Sequence, residues 1–309
     1  MSTSLFLQHA DSILVQKPKR GKLSQDAANK IMCGDALACL GCLEDAIVDT
    51  IVTSPPYFGQ RDYGVKDQLG LEAESDDYIE RLVSTLGEAR RVLKESGTLW
   101  LNIGDKYING ALMGIPWRVA LALQKDGWIL RSDIIWHKPN AMPHSVKTRP
   151  TPDHEYIFLL SKAQTYYYDV DAIREPHVTF SEASKMRGGR NHFGKRGSTP
   201  ESGKNGGNAN LHNARWDQAF HEKGRNRRTV WSVPLGKFRE AHFAVFPEKL
   251  IEPCILAGSP KGGLVMDPFF GSGTTGIVAL LNERKFLGID INPEYCKMAA
   301  NRIVQLGLF

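Results

Sequence analysis

The chain has 309 residues, 42% hydrophobic and 24% charged, with a formal net charge of +5. That is enough for one sizeable α/β domain carrying an insertion, and it excludes fibrous and low-complexity classes. No apolar run approaches the roughly 18 residues of a membrane span, and Met1 to Ala10 lacks an early basic region, so neither a membrane segment nor a signal peptide is expected.

Residues 1–29, with Lys17-Pro18-Lys19-Arg20, read as a polar, basic arm. Ile31-Met32-Cys33-Gly34-Asp35 opens the fold, and Ile47 to Val52 is an apolar β-type run. Apolar residues at helical spacing (Ile79, Leu82, Val83, Leu86, Val92) predict a helix from Asp76 to Lys94, stopped by Ser96-Gly97. Thr98 to Ile103 reads as a buried strand. Pro116 to Lys125 reads as a helix with proline near its first turn. Trp128 to Trp136 and His154 to Ser161 read as strands, so strand and helix alternate through residues 30–175. Tyr166-Tyr167-Tyr168 reads as sheet packing rather than a stacking platform, and Trp136 to Asn140 as the lead into a loop that approaches a partner.

Composition changes after residue 175. Lys185 to Arg228 holds eleven Lys/Arg against three Asp/Glu, with eight glycines. Composition alone allows a solvated linker, whereas clustered Lys and Arg also pair with phosphate and Arg reads guanine edges. Regular structure is expected again from Thr229, giving a segment 176–228 inserted between 30–175 and 229–309. A helix to about Ala257, a strand 263–266, a helix Thr274 to Leu281, a strand Phe286 to Asp290 and a helix Pro293 to Val304 complete the chain.

Two motifs carry the chemistry. Thr53-Ser54-Pro55-Pro56-Tyr57 and Asp267-Pro268-Phe269-Phe270-Gly271-Ser272-Gly273-Thr274-Thr275 each follow an apolar β-type run. Both therefore belong at the C-terminal edge of a parallel sheet, where open α/β folds bind ligands. Gly271 and Gly273 admit positive φ and remove side chains that would meet a ligand. Asp290 ends the next strand, 17 residues after Gly273, where a carboxylate can accept from ribose hydroxyls. An NAD site is the competing reading of this loop, and it leaves the Ser54-Pro55-Pro56-Tyr57 motif unexplained. The five cysteines are scattered, and Cys39-Leu-Gly-Cys42 has no second pair to complete a zinc site. No metal is expected, and no cysteine is read as the nucleophile that cytosine-C5 methyl transfer requires.

With Ser-Pro-Pro-Tyr ahead of the glycine loop and the basic segment between them, residues 30–305 resemble the amino-group DNA methyltransferases of the permuted β subclass. The resemblance implies an α/β, Rossmann-like methyltransferase fold with circularly permuted motif order and a basic target-recognition insertion. It implies S-adenosylmethionine as cofactor, with Asp267, Phe269, Gly271, Ser272, Gly273 and Thr274 at its methionine end and Asp290 at its ribose. Phe246, Pro247 and Lys249 match a motif that closes over the cofactor, Lys249 toward its carboxylate, and Asp35 matches a further position on the cofactor side.

The implied catalytic residues are Ser54, Pro55, Pro56 and Tyr57. The lone pair of an exocyclic amine is drawn into the base ring, so two acceptors, Ser54 Oγ and the Pro55 carbonyl, would localise it toward the methyl sulfonium. Tyr57, with Phe58 beside it, would stack on a base flipped from the duplex. The implied partner is double-stranded DNA, met by Arg187, Arg190, Lys195, Arg196, Arg225, Arg227 and Arg228. A homodimer and a cognate restriction endonuclease stay open as further partners, and a cytoplasmic place beside the nucleoid is expected. Serine at the first motif position is met more often in cytosine-N4 enzymes, whereas the whole chain resembles stand-alone adenine-N6 enzymes; on balance adenine N6 is favoured. An RNA or protein-glutamine methyltransferase and a non-catalytic DNA-binding regulator are the other readings.

Overall fold

A computed structural model describes residues 14–16, 27–176, 223–236 and 246–307. Apolar strands alternate with amphipathic helices to build a nine-stranded sheet. In chain order the elements are β1 (Leu14–Gln16), β2 (Lys30–Cys33), α1 (Ala36–Gly41), β3 (Val48–Thr53), α2 (Ser75–Val92) and β4 (Leu93–Ile103). A small hairpin of β5 (Tyr107–Ile108) and β6 (Ala111–Leu112) precedes α3 (Ile115–Lys125), β7 (Ile129–His137) and β8 (His154–Ser161). Then come β9 (Val230–Ser232), α4 (Glu248–Gly258), β10 (Leu264–Asp267), α5 (Thr274–Leu281), β11 (Lys285–Asp290) and α6 (Pro293–Gln305).

The strand order is β1-β2-β11-β10-β3-β4-β8-β7-β9. Within this sheet every pairing is parallel except those of β8 with β4 and with β7. A single reversed strand has a simple consequence. The C-terminal ends of β2, β11, β10, β3, β4 and β7 all reach one edge of the sheet, together with the N-terminal end of β8. Both sequence motifs, Asp35, Asp290 and the β7–β8 connection therefore leave the sheet on the same side.

Helices α1, α2 and α3 pack side by side, as do α4, α5 and α6. Leu82, Leu86, Ala89 and Val92 of α2 are completely buried, which follows from their 3–4 residue spacing. The helix ends at Val92 rather than Lys94, and β4 begins at once at Leu93. A register shift between Val48 and Thr50 absorbs the extra residues. Gly97 makes this possible, since a Cβ there would lie 2.9 Å from the Asp49 carbonyl oxygen. Tyr168 stacks on the buried Trp100 with ring centres 6.3 Å apart, as packing rather than as a platform for a ligand.

The glycine loop is held from behind by aromatic packing. Phe270 stacks on Phe286 at 5.6 Å, and a Cβ on Gly288 of β11 would lie 2.4 Å from the Phe270 ring. Gly288→Ala is expected to displace that ring and lower stability by about 1–3 kcal/mol. Thermal denaturation checks this, and an unchanged melting temperature would show that the loop is not braced here.

The chain divides into two compact units, Val170–Arg228 and the remainder. The described part of the first unit includes a short 3-10 helix, Asp171–Ile173, and an antiparallel bridge between Glu175 and Arg225.

Candidate active site

At the C-terminal edge of the sheet lies a cavity of about 470 Å³, within the usual range for small-molecule sites. Both motifs contribute to its wall: Ser54 and Pro56 from the first, and Pro268, Phe269, Gly271 and Ser272 from the second. Asp35 and Asp290 complete the set of expected residues around it.

Asp290 sits half-buried on the wall. Its Oδ2 accepts from the Gly271 N–H at 2.7 Å and its Oδ1 from the Asn292 N–H at 2.8 Å. Those bonds tie the glycine loop to the end of β11 and leave each oxygen a further lone pair. Burial pushes the carboxyl up to about 6, against the two N–H groups that pull it down. Gly271 has φ of 52°, and a Cβ there would meet nothing within 4 Å, so the loop leaves open space on the cavity side. Asp35 caps α1, its Oδ1 accepting from Ala38 N at 2.9 Å, while its exposed side chain also lines the cavity.

Several expected cofactor residues stand elsewhere. Asp267 is 1% exposed, and its carboxylate is taken up by the protein. It accepts from Thr53 Oγ1 at 2.6 Å, Thr275 Oγ1 at 2.7 Å and Phe269 N at 3.0 Å. As the last residue of β10 it points inward and pins β3, the loop and α5 together, so it shapes the cavity from outside its wall. Burial raises this carboxyl too, to about 6, against those three bonds. Gly273 has φ of 84° and backs onto α6, where a Cβ would lie 2.8 Å from that of Ala299. The left-handed turn carries the chain into α5 and buries Thr274, which is absent from the wall. Phe246, Pro247 and Lys249 do not line the cavity either: Pro247 caps α4, and Lys249 is exposed on its first turn.

Sequence reasoning missed other residues of the cavity wall. Tyr63 and Tyr295, edge to face at 6.0 Å, line it with Ile291 and Asn292. Arg81 lines it as well, while its guanidinium is drawn to Glu72 and the Asp67 carbonyl. The available signal was Asn292-Pro293-Glu294 directly after Asp290, a helix start whose Asn292 Oδ1 accepts from Glu294 N at 2.9 Å. It announced α6 without announcing a wall.

Around the Pro-Pro-Tyr loop the structure separates neighbours in sequence. Phe58 is 6% exposed and packs against Tyr78 at 5.7 Å, so it belongs to the core and not to a stacking surface. Tyr78 in turn donates to the Pro56 carbonyl at 2.9 Å and fixes the loop from below. Tyr57 is only half-buried, but its ring lies against Gly104 and its hydroxyl donates to Glu155 Oε2 at 2.6 Å. It is not part of the cavity wall.

Among the expected DNA contacts, Arg187, Arg190, Lys195 and Arg196 lie outside the described residues. Arg225 has an internal partner, since its Nη2 pairs with Glu175 Oε2 at 3.1 Å across the bridge between their backbones. Its charge is thus already committed to holding the ends of the inserted segment together. Arg227 and Arg228 continue from that bridge toward β9. Among the described residues no group of three metal-ligating side chains gathers, and no helix is long and apolar enough to cross a membrane. The chain's Pro-Cys pair, Pro253-Cys254, lies inside α4, where the buried thiol points to the Leu250 carbonyl. It is not a nucleophile of this site.

Comparison with known proteins agrees with this geometry. Residues 48–301 match the DNA methylase family of N6/N4 enzymes. The chain is 44% identical over 299 residues to type II methyltransferase M.Cfr9I of Citrobacter freundii, covering 87% of this chain and 86% of that protein. It is 42% identical over 305 residues to type II methyltransferase M.SmaI of Serratia marcescens, covering 89% and 91%. Among solved structures, the PvuII DNA methyltransferase (cytosine-N4-specific) shares the fold with a TM-score of 0.64 at 21% identity, over 93% of this chain and 87% of that one. A DNA modification methylase of Thermus thermophilus, TTHA0409, solved with S-adenosyl-L-methionine, does so with 0.58 at 24% identity, over 89% and 93%. The chain is therefore a site-specific DNA methyltransferase of the amino-group (N6/N4) family, with a Rossmann-like fold and S-adenosylmethionine as its cofactor.

Proposed function

We propose that the chain methylates the exocyclic amine of a base flipped from duplex DNA, using Ser54 Oγ and the Pro55 carbonyl as the acceptors that localise the amine lone pair. The observation that carries this reading is that Ser54 of the first motif, Gly271 of the second and Asp290 at the end of β11 face one cavity. S-adenosylmethionine supplies an already activated methyl group, so holding the amine in line with it accounts for much of the rate gain. Asp290 would accept from the ribose, Asp35 and the 269–272 loop would border the remainder, and Tyr63 and Tyr295 offer an aromatic surface for the adenine. Asp267, Gly273 and Thr274 would act by shaping that loop. Labelled methyl transfer to duplex DNA tests the reading, and a folded chain that binds cofactor yet transfers nothing would overturn it.

For the amine, we infer cytosine N4. The group that opens the first motif and reaches the cavity wall is the Ser54 hydroxyl, and a serine in this position favours the cytosine enzymes. Adenine N6 is the second reading, favoured by the resemblance of the whole chain, with its Gly/Arg-rich insertion, to stand-alone adenine enzymes. Digestion of methylated DNA to nucleosides and mass spectrometry tells the two products apart; N6-methyladenine would overturn the first.

The basic segment is the proposed DNA contact. Each neutralised phosphate adds about −0.9 to the slope of log affinity against log salt. Replacing Arg187, Arg190, Lys195 and Arg196 by Gln is expected to flatten that slope and weaken DNA binding, with cofactor affinity unchanged. Anisotropy titrations at several salt concentrations check it, and an unchanged slope would return the segment to the role of a linker. A cognate endonuclease fits the same reading, because methylation at a specific site protects that site from cleavage.

A further inference from the structure

The Pro-Pro-Tyr loop is wired to two charged residues from a part of the chain that neither motif includes. Lys138, just beyond the end of β7, forms a short ion pair with Glu155 Oε1 at the start of β8. Both side chains are about five-sixths buried, 16% and 15% exposed. The other carboxylate oxygen, Oε2, accepts from the Tyr57 hydroxyl at 2.6 Å and from Asn102 Nδ2 at 3.0 Å. Asn102 Nδ2 also reaches the Tyr57 hydroxyl at 2.7 Å and Ser54 Oγ at 3.3 Å. Finally, Ser54 Oγ lies 3.2 Å from the Tyr57 hydroxyl. Gly104, at the end of β4, clears the ground for this contact: a Cβ there would lie 2.8 Å from the Tyr57 ring and 3.3 Å from the Glu155 carboxyl carbon.

Counting protons gives the chain a direction. A carboxylate can only accept, and a phenol has one proton to give. With the Tyr57 proton committed to Glu155, the Tyr57 oxygen is left as an acceptor. Ser54 also has one proton, and the phenol oxygen beside it is the acceptor available to take it. Ser54 Oγ then turns lone pairs rather than a proton toward the cavity, which is the state that a donating amine requires. Reverse the chain, and the serine proton points at the amine, so that two donors face one another.

We propose that Glu155, anchored by Lys138, is a positioning residue that sets the proton direction of the Tyr57–Ser54 pair and so holds Ser54 as an acceptor for the target amine. This rests on the function proposed above. The Tyr57 hydroxyl agrees with it, because burial first and Glu155 second hold the phenol well above its ordinary range, so that it stays a donor. Tyr57 is thereby given a role through its hydroxyl, besides any role of its ring.

The test is a double-mutant cycle in methyl transfer. Tyr57→Phe keeps the ring and removes the relay; Glu155→Gln keeps the shape and removes the obligate acceptor. Each is expected to lower kcat by about 10- to 100-fold, with KM for DNA, Kd for S-adenosylmethionine and melting temperature within about twofold or 2 °C of wild type. The double variant should be no slower than the worse single one, because both act on one proton. Lys138→Met, which loosens the carboxylate without removing it, should give a smaller loss in the same direction.

A wild-type kcat in Glu155→Gln would overturn the proposal, and so would losses that multiply in the double variant. A drop in cofactor affinity matching the drop in kcat would overturn it as well, since that is what plain structural damage does. An inactive wild-type protein would instead overturn the function proposed for the site, and the two failures are distinguishable in one assay.

Discussion

Asp290→Ala is expected to raise the Kd for S-adenosylmethionine by roughly 10- to 100-fold, corresponding to the 1–3 kcal/mol lost when a buried polar partner is removed. Two effects combine in it. The substitution removes the acceptor proposed for the ribose, and it releases the Gly271 and Asn292 N–H groups that the carboxylate now holds. pH separates the two. Burial sets the free carboxyl at about 6, and ribose hydroxyls donating to it favour the ionised form, so binding must lower that value. Affinity should accordingly be flat above pH 6 and fall below it, by at most about tenfold per pH unit. The fall should be missing in Asp290→Asn, whatever its absolute affinity. Isothermal titration from pH 5 to 8 checks this, and a flat wild-type profile would remove Asp290 from direct contact with the cofactor.

Ser54→Ala should leave cofactor binding within a few-fold of wild type and lower kcat by about 10²–10³-fold, the scale on which one positioned polar group in an active site acts. The hydroxyl touches no group that holds the glycine loop; its neighbours are Tyr57 and Asn102. Single-turnover methyl transfer at saturating cofactor measures the chemical step itself. Wild-type turnover in this variant would mean that the amine finds its acceptors elsewhere, the Pro55 carbonyl included.

The framework of the molecule was legible because its strands and helices are periodic and bounded by strong signals. His154–Ser161 and Thr274–Leu281 fall where hydrophobic pattern and glycine placed them. Motif order and position after strands led to one sheet edge, and that edge holds the cavity.

What stayed hidden were the directions of side chains and partners distant in sequence. Asp267 and Asp290 both end a strand and look alike on paper. One points into the gap between β10 and β3, where Thr53 awaits it, and the other opens onto the cavity. Tyr57 and Phe58 are adjacent aromatics, yet only packing against Tyr78 shows that Phe58 is core. Glu155 lies 98 residues from Tyr57, and Arg225 lies 50 from Glu175. No local pattern links either pair, and only the antiparallel return of β8 and the closing bridge bring them together.

The lone reversed strand has a consequence for ancestry. Because β8 alone runs backward, the loops that matter are selected by the direction in which their strands point, whatever the order in which the ribosome makes them. A gene could exchange the segment encoding β3 to β8 with the one encoding β10 and β11 and still deliver Ser54 and Asp290 to the same rim. Selection acting on the pocket is blind to such a rearrangement. Catalogues built on linear motif order would file the two products as strangers, whereas a catalogue of strand directions and rim residues would keep them as kin.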